Sequence, residues 1–335
     1  MPCGMMDVMR LRIDLAYDGT GFHGWAKQPN LRTVQGEVEA TIAKVLRIAQ
    51  PRDRMDSEHA IGSPRGAGEP AEVPVAAASS YWPQLVVAGR TDTGVHALHQ
   101  VCHLDIDPCV LARAVGHMDC TPAEALRRRL AHLLPADIAI HGVCIAPAGF
   151  DARFSALERV YVYRICDDSR FFDPRIRNFV LDVDDRLDID AMNEAAGLCV
   201  GLHDFGSFAT PNPGGTTIRD VKSAVWTRAP HQVCVAPDAE TAHDVPALES
   251  GLLTFTIVAD AFAHNMVRSL VQACLQVGRG RKSAEWFASK IAQPMREGST
   301  GPAPSRGLTL ERVIYPDDSL LAQRAQAIRA KRTLD

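Results

Sequence analysis

Residues 9–17, Met9-Arg10-Leu11-Arg12-Ile13-Asp14-Leu15-Ala16-Tyr17, alternate between apolar and other side chains, as a half-buried β-strand does. A helix is predicted next over residues 34–49, with Thr33 suited to cap its start. Its apolar residues recur at helical spacing: Val34, Val38, Ile42, Val45 and Leu46. The chain therefore opens with a strand and an amphipathic helix.

The rest of the first half continues this order. Strands are predicted at about 84–89 and 98–106, and a last strand at about 137–146. Between them a helix is predicted at about 122–133, which opens with Thr121-Pro122-Ala123-Glu124, a capping box with proline at the first helical position. The predicted order is β-α-β-β-α-β.

The second half repeats that order in pattern but not in sequence. Its predicted elements are a strand at 157–167, a helix at 190–200 ended by Gly201, strands at 215–228 and 251–258, helices at 263–277 and 284–293, and a strand at 308–315. We predict an α+β fold in which two RRM-like or ferredoxin-like units lie side by side and form one continuous, mostly antiparallel sheet flanked by helices.

The pattern divides the chain into an N-terminal unit (1–148), a C-terminal unit (149–318) and a tail (319–335). The segment 50–82 is rich in Pro, Gly, Ala, Ser and charge and is predicted to be a flexible insertion, and 229–249 an irregular one. The tail is basic through Arg324, Arg329, Lys331 and Arg332.

Composition limits the class of protein. The 335 residues are 46% hydrophobic, so a large core is expected, and the net charge of -4 provides no overall attraction to nucleic acid. No apolar run approaches the roughly 20 residues that span a membrane, and no leader pattern is seen. Nine scattered cysteines indicate reduced thiols. We expect a globular cytoplasmic protein without a membrane segment.

One acid stands out in the run Val86-Val87-Ala88-Gly89-Arg90-Thr91-Asp92-Thr93-Gly94-Val95-His96-Ala97. A short apolar strand ends there in a turn flanked by glycines, which permit sharp turning and close approach of a ligand. An arginine within hydrogen-bonding distance favours the ionised carboxylate. Asp92 is therefore a candidate nucleophile.

The run from Gly89 to Ala97 resembles the catalytic signature of the TruA family of tRNA pseudouridine synthases. The resemblance implies that Asp92 is the essential aspartate, attacking either the ribose C1′ or the base, and that Arg90 helps to hold the flipped nucleotide. It implies a tRNA substrate, modified at uridines of the anticodon stem-loop (tRNA positions 38 to 40), and a homodimer. Breaking a C–N bond and reattaching the same base through carbon needs no metal and no cofactor, so none is expected.

A second segment, Phe150-Asp151-Ala152-Arg153-Phe154-Ser155-Ala156 followed by Arg159-Val160-Tyr161-Val162-Tyr163-Arg164, is similar to another motif of the family. By that resemblance Tyr161 stacks on the uracil and assists proton transfer. Tyr163 lies on the same strand face and is predicted to be a packing residue. Arg153 and Arg159 are candidate RNA contacts.

Two more segments match. Asp260-Ala261-Phe262-Ala263-His264-Asn265-Met266-Val267-Arg268 resembles the family segment whose basic residue, here Arg268, pairs with the catalytic aspartate. The stretch from Tyr17 to Trp25 resembles the opening segment, which makes Lys27 and Arg32 candidate RNA contacts. The chain departs from the family pattern at three positions, which are Ala26, Thr93 and Gln272.

Three other readings of these residues remain. Asp92-Thr93-Gly94 is the tripeptide of aspartic proteases, but those need two acids sharing a proton, and Arg90 opposes that arrangement. His96, His99, Cys102 and His103 suggest a metal cluster, although their spacing is not that of a recognised site. The third alternative is a non-enzymatic RNA-binding protein with two RRM-like units, for which the typical basic and aromatic signature is lacking.

Overall fold

The structure is a computed structural model that describes residues 8–49, 82–211, 215–230, 248–296 and 298–328. The predicted insertion at 50–82 lies outside the described residues except for Trp82, and so does most of 229–249. Of the tail, Arg324 is described and the later basic residues are not.

The described residues form strands and helices close to the predicted ones. The strands are β1 (Met9–Tyr17), β2 (Leu85–Val87), β3 (His96–Ile106), β4 (Ile138–Ile145), β5 (Glu158–Cys166), β6 (Leu181–Asp182), β7 (Gly201–Asp204), β8 (Ile218–Arg228), β9 (Leu253–Ala259) and β10 (Leu308–Ile314). The helices are α1 (Val34–Leu46), α2 (Pro108–Leu111), α3 (Pro122–Leu133), α4 (Ile189–Gly197), α5 (Met266–Gly278), α6 (Ala284–Ala292) and α7 (Leu321–Ala327).

One sheet runs through both halves of the chain, in the order β4-β1-β3-β10-β5-β9-β8-β7. Its centre is β10, which pairs in parallel with β3 of the first half and antiparallel with β5 of the second. The last strand of the chain thus joins the two units, and the other pairings along this order are antiparallel. The predicted α+β fold with a continuous, mostly antiparallel sheet is confirmed.

Alternating side chains explain how the sheet packs. Along β1, Leu11, Ile13 and Leu15 are fully buried while the residues between them are partly exposed. On α5 the predicted apolar stripe is buried throughout: Met266, Val267, Leu270, Val271, Cys274 and Leu275. Helices cover the buried face of the sheet, and the core is continuous from one half to the other.

The helix caps predicted from the sequence form in the structure, with one difference. Thr33 Oγ1 accepts from the Gly36 amide, and α1 ends at Arg47 in the left-handed conformation. Thr121 Oγ1 accepts from the Glu124 amide, as a capping box requires. The Glu124 carboxylate, however, accepts from two arginines of its own helix rather than from the Thr121 amide, so only half of the predicted box forms.

Some predicted bounds were wrong. The helix predicted at 190–200 ends at Gly197, and Gly201, with φ of 110°, begins strand β7 instead of ending the helix. Gly201 and the three residues that follow it pair with β8, and a helical pattern in the sequence does not reveal this pairing. The short helix α2 was missed, and Asp107 caps it. Among the described residues, no helix has both the length and the apolar character needed to cross a bilayer.

Candidate active site

Asp92 lies in the loop that joins β2 to β3, and its side chain is 26% exposed. The segment that follows β1 contacts this loop, backbone against backbone. Trp25 donates its amide to the Thr91 oxygen at 3.0 Å. Gly24 has φ of 84°, and a Cβ built on it would meet that oxygen at 2.8 Å. Glycine is required there because the two backbones touch.

A buried polar cluster supports the same loop from beneath. The Tyr17 hydroxyl lies 2.7 Å from Thr91 Oγ1. Gln100 Nε2 donates to the Gly89 oxygen at 2.8 Å and to the Tyr17 hydroxyl at 3.3 Å. Burial raises the pKa of Tyr17 to about 12, so the phenol stays protonated. These bonds hold the backbone on the amino-terminal side of Asp92, and no sequence motif predicted this role for Tyr17 or Gln100.

Arg268, on the first turn of α5, faces Asp92. Its Nη1 lies 3.6 Å from Asp92 Oδ2, and its Nε donates to the Ala303 oxygen at 2.7 Å. Both side chains are only partly exposed, at 16% and 26%. The carboxylate therefore faces a positive charge in a site shielded from most of the solvent.

His264 is a second neighbour of the acid, with Nε2 at 3.5 Å from Asp92 Oδ1. Its side chain is 53% exposed, so it borders the open side of the site. His264 belongs to the segment that carries Arg268, and no pattern in the sequence marks it as part of the site, so its nearness to Asp92 becomes visible only in the fold.

Arg90 is exposed, and within the described residues it makes no hydrogen bond or ion pair. The arginine that lies against the acid is Arg268, as the family resemblance implied, and not the adjacent Arg90. The side chain of Arg90 points to solvent next to the loop. Its part in holding a flipped nucleotide stays a prediction.

Tyr161 lies on β5, opposite Leu310 of β10 and Ile257 of β9. Its ring is 7% exposed and meets the edge of Phe262 with centroids 5.1 Å apart. Burial raises its pKa above the usual range, and the negative charge of Asp92 adds to this. The phenol is therefore protonated, and its hydroxyl has no hydrogen-bond partner among the described residues.

Tyr163, two residues along the same strand, is different. It is fully buried, and its hydroxyl donates to the Pro304 oxygen at 2.7 Å. The structure thus places Tyr163 as a packing residue and leaves Tyr161 with a free polar group near the acid.

The two candidate RNA contacts of the Phe150 to Arg164 motif, Arg153 and Arg159, have unlike environments. Arg159 is buried and donates to the oxygens of Asp260 (2.5 Å), Ala88 (2.7 Å) and Arg153 (2.8 Å). Burial lowers its pKa. Arg153 is exposed, with its guanidinium 5.2 Å from the Phe154 ring centroid. Arg159 thus links the two halves from inside, whereas Arg153 lies at the surface, and its role as an RNA contact stays a prediction.

The two candidate RNA contacts near the amino terminus, Lys27 and Arg32, also differ in their environments. Lys27 is 53% exposed, and its Nζ lies 3.7 Å from a Glu39 oxygen. Arg32 donates to both oxygens of Asp137 at 2.7 and 3.0 Å, which raises its pKa. The charge of Arg32 is largely satisfied within the protein, and the roles of both residues in RNA binding stay predictions.

The histidines considered as metal ligands connect segments. His96 Nδ1 accepts from the Gly19 amide at 3.0 Å, and its Nε2 donates to the Arg306 oxygen at 3.1 Å. Burial lowers the pKa of His96, in keeping with this neutral form. His103 Nδ1 accepts from the Ala152 amide at 3.0 Å. Within the described ranges no three His, Cys, Asp or Glu side chains are grouped to hold a metal ion.

Comparison with known proteins points to one kind of enzyme. The model of a family described as tRNA pseudouridine synthase matches residues 195–316. A tRNA pseudouridine synthase A from Bifidobacterium longum (strain DJO10A) is 60% identical over 328 residues, covering 97% of this chain and 99% of that protein. Proteins of the same name from Bifidobacterium animalis subsp. lactis (55% identical, 97% and 99% covered) and Streptomyces griseus subsp. griseus (43%, 97% and 95%) are also similar.

Proposed function

This chain belongs to the TruA family of tRNA pseudouridine synthases and is an isomerase, and we propose that it acts on uridines of the tRNA anticodon stem-loop with Asp92 as its nucleophile. The positions proposed are those implied by resemblance, tRNA positions 38 to 40. The observation that carries the proposal is the partly exposed Asp92 carboxylate, 3.6 Å from the Arg268 guanidinium.

The reaction breaks the bond between C1′ and N1 of the uridine and forms one between C1′ and C5. The hydrogen on C5 leaves as a proton, and N1 gains a proton, so the base is isomerised without oxidation or reduction. Asp92 attacks the flipped nucleotide, at C1′ or at the base. Its ionised form is the reactive one, and Arg268 stabilises that charge.

The proposed role of Tyr161 is to contact the uracil base. Its protonated phenol has no hydrogen-bond partner among the described residues, which leaves the hydroxyl available to donate to the uracil. Its ring, held at 87° to the Phe262 ring, is proposed to stack on the flipped uracil. Arg90, exposed beside the loop, is proposed to fill the vacated stack or to bind a phosphate.

RNA binding must come from local charge because the chain carries a net charge of -4. The exposed cations Lys27, Arg90 and Arg153 are the proposed phosphate contacts, and Arg32 and Arg159 are kept as weaker candidates. We further propose a cytoplasmic enzyme that works as a homodimer on tRNA without a cofactor. The dimer is proposed from resemblance to the family.

Tritium release from tRNA labelled at uracil C5 tests the proposal, because the new carbon bond expels that hydrogen. Wild type is expected to release tritium and Asp92→Ala to release none, while its thermal unfolding and tRNA affinity stay close to wild type. A tRNA with cytidine in place of uridine at positions 38 to 40 is expected to release none. Tritium release from that tRNA would exclude the proposed sites, and release by Asp92→Ala would exclude the proposed nucleophile.

A further inference from the structure

Arg268 has two fixed contacts besides Asp92. Its Nε donates to the Ala303 oxygen at 2.7 Å, and its Nη1 donates to Asn265 Oδ1 at 3.3 Å. Nη1 is also the atom that lies 3.6 Å from Asp92 Oδ2. Nη1 of Arg268 therefore donates to the side-chain oxygen of Asn265 and also faces the Asp92 carboxylate.

The Asn265 side chain can make these contacts in one orientation only. A guanidinium has donors and no acceptor, so it needs the amide oxygen, and the amide nitrogen must then point away. That nitrogen donates to Thr210 Oγ1 at 2.9 Å. Asn265 has φ of 63°, a left-handed conformation that asparagine tolerates better than most residues.

Thr210 is itself anchored to the same turn. Its main-chain amide donates to the main-chain oxygen of His264 at 2.9 Å. Thr210, which accepts a hydrogen bond from the side-chain amide of Asn265, is therefore also bound to the residue that precedes Asn265. Arg296 also donates to Thr210 Oγ1, at 2.6 Å. Thr210 lies before β8 and Asn265 immediately before α5, so the contact joins two segments distant in the chain.

We propose that Thr210 and Asn265 are positioning residues that set the orientation of Arg268 opposite Asp92. Thr210 fixes the rotation of the Asn265 amide, the amide oxygen fixes Nη1 of Arg268, and Nη1 faces the carboxylate. This inference rests on the proposed function, since it assumes that Asp92 and Arg268 act in the reaction. It predicts that both residues affect the rate of the chemical step more than tRNA binding.

The first test is Asn265→Gly, because glycine accepts φ of 63° and removes only the side chain. Single-turnover tritium release is expected to fall roughly tenfold, the size of a typical coupling between contacting residues. The dissociation constant for tRNA is expected to change less than about twofold. In an Arg268→Gln background, Asn265→Gly is expected to add no further loss.

Thr210 provides a matched set. Thr210→Val removes the hydroxyl at nearly constant volume and is expected to slow tritium release, while Thr210→Ser keeps the hydroxyl and is expected to restore the wild-type rate. Thr227→Val is the control: this exposed threonine on β8 pairs its hydroxyl with Thr254 at 2.8 Å and should leave the rate unchanged.

Additive losses for Asn265→Gly and Arg268→Gln would overturn the inference, and so would weakened tRNA binding with an unchanged rate. If Asp92→Ala is inactive and Asn265→Gly reacts at the wild-type rate, only this inference fails. If Asp92→Ala still releases tritium, the proposed nucleophile fails, whatever the Asn265 variants do.

Discussion

Arg159 donates a hydrogen bond of 2.7 Å to the main-chain oxygen of Ala88, the first residue of the loop that carries Asp92. The same guanidinium donates to the oxygens of Asp260 and Arg153 in the second half. The strand that carries Tyr161 is thereby tied to the segment that carries the acid. This buried cation therefore adds a direct polar contact between the two halves of the site, beside the pairing of β10 with β3 and β5.

We expect Arg159→Gln to lower the free energy of unfolding by about 2–4 kcal/mol, because several buried carbonyl oxygens lose their donors. Urea denaturation followed by circular dichroism measures this. A change below about 0.5 kcal/mol, the size typical of a surface substitution, would show that the buried contacts are not important for stability.

Arg153→Gln is the matched control on the same motif, because Arg153 is exposed. Its unfolding free energy is expected to stay within about 0.5 kcal/mol of wild type. If it binds a phosphate, tRNA affinity falls and the slope of log affinity against log salt concentration becomes shallower by about 1. An unchanged slope would remove Arg153 from the RNA contacts.

We expect Arg268→Lys to slow tritium release by roughly 10–100-fold in single turnover, although the positive charge is kept. The guanidinium binds the Ala303 oxygen through Nε while Nη1 faces Asp92, and a single ammonium cannot do both. The tRNA dissociation constant, measured by filter binding, should change little. A wild-type rate in this variant would show that charge alone suffices.

Gly24→Ala is expected to destabilise the fold by about 1–3 kcal/mol and to slow the reaction. The added Cβ meets the Thr91 oxygen at 2.8 Å, and alanine is strained at φ of 84°. Thermal unfolding and tritium release measure the two effects. Gly89→Ala is the stability control in the same region, because no atom lies within 4 Å of its added Cβ. Equal destabilisation by both changes would contradict the contact argument.

Stability should depend on pH through His96. Burial lowers its pKa in the fold from the ordinary 6.5, although the Asp18 charge opposes this. Below pH 6.5 the unfolded chain therefore binds more protons, so the unfolding free energy falls as pH drops through that value and levels off below the lowered pKa. The contribution is fully present above pH 6.5.

Urea unfolding of wild type and His96→Gln at several values between pH 8 and pH 5 tests this, and the variant should show the shallower dependence. His103, whose pKa burial also lowers, is present in both proteins and cancels in the comparison. Asp14 and Asp18 have pKa values below the usual 3.8, so their losses come at lower pH. Parallel curves for the two proteins would contradict the role given to His96.

Most helices and strands were predictable from the sequence because their signals are local. The alternation in β1 and the stripe on α5 report which face is buried, and Thr33 marks a helix start through its own hydroxyl. The contact between β3 and β10 was not predictable in this way, because strand periodicity reports a buried face and not the neighbouring strand.

The sequence by itself determined the fold class and the loop that displays Asp92, since glycines, periodicity and family motifs lie within short runs of residues. The family motif also implied that Arg268 faces Asp92. Only the tertiary structure decided the surroundings of the other polar side chains. Arg90 and Arg153 are exposed, Arg159 is buried, and Asn265 donates to Thr210. The partner of a polar side chain depends on contacts between segments that are distant in the chain. The spacing of residues along one segment does not predict those contacts.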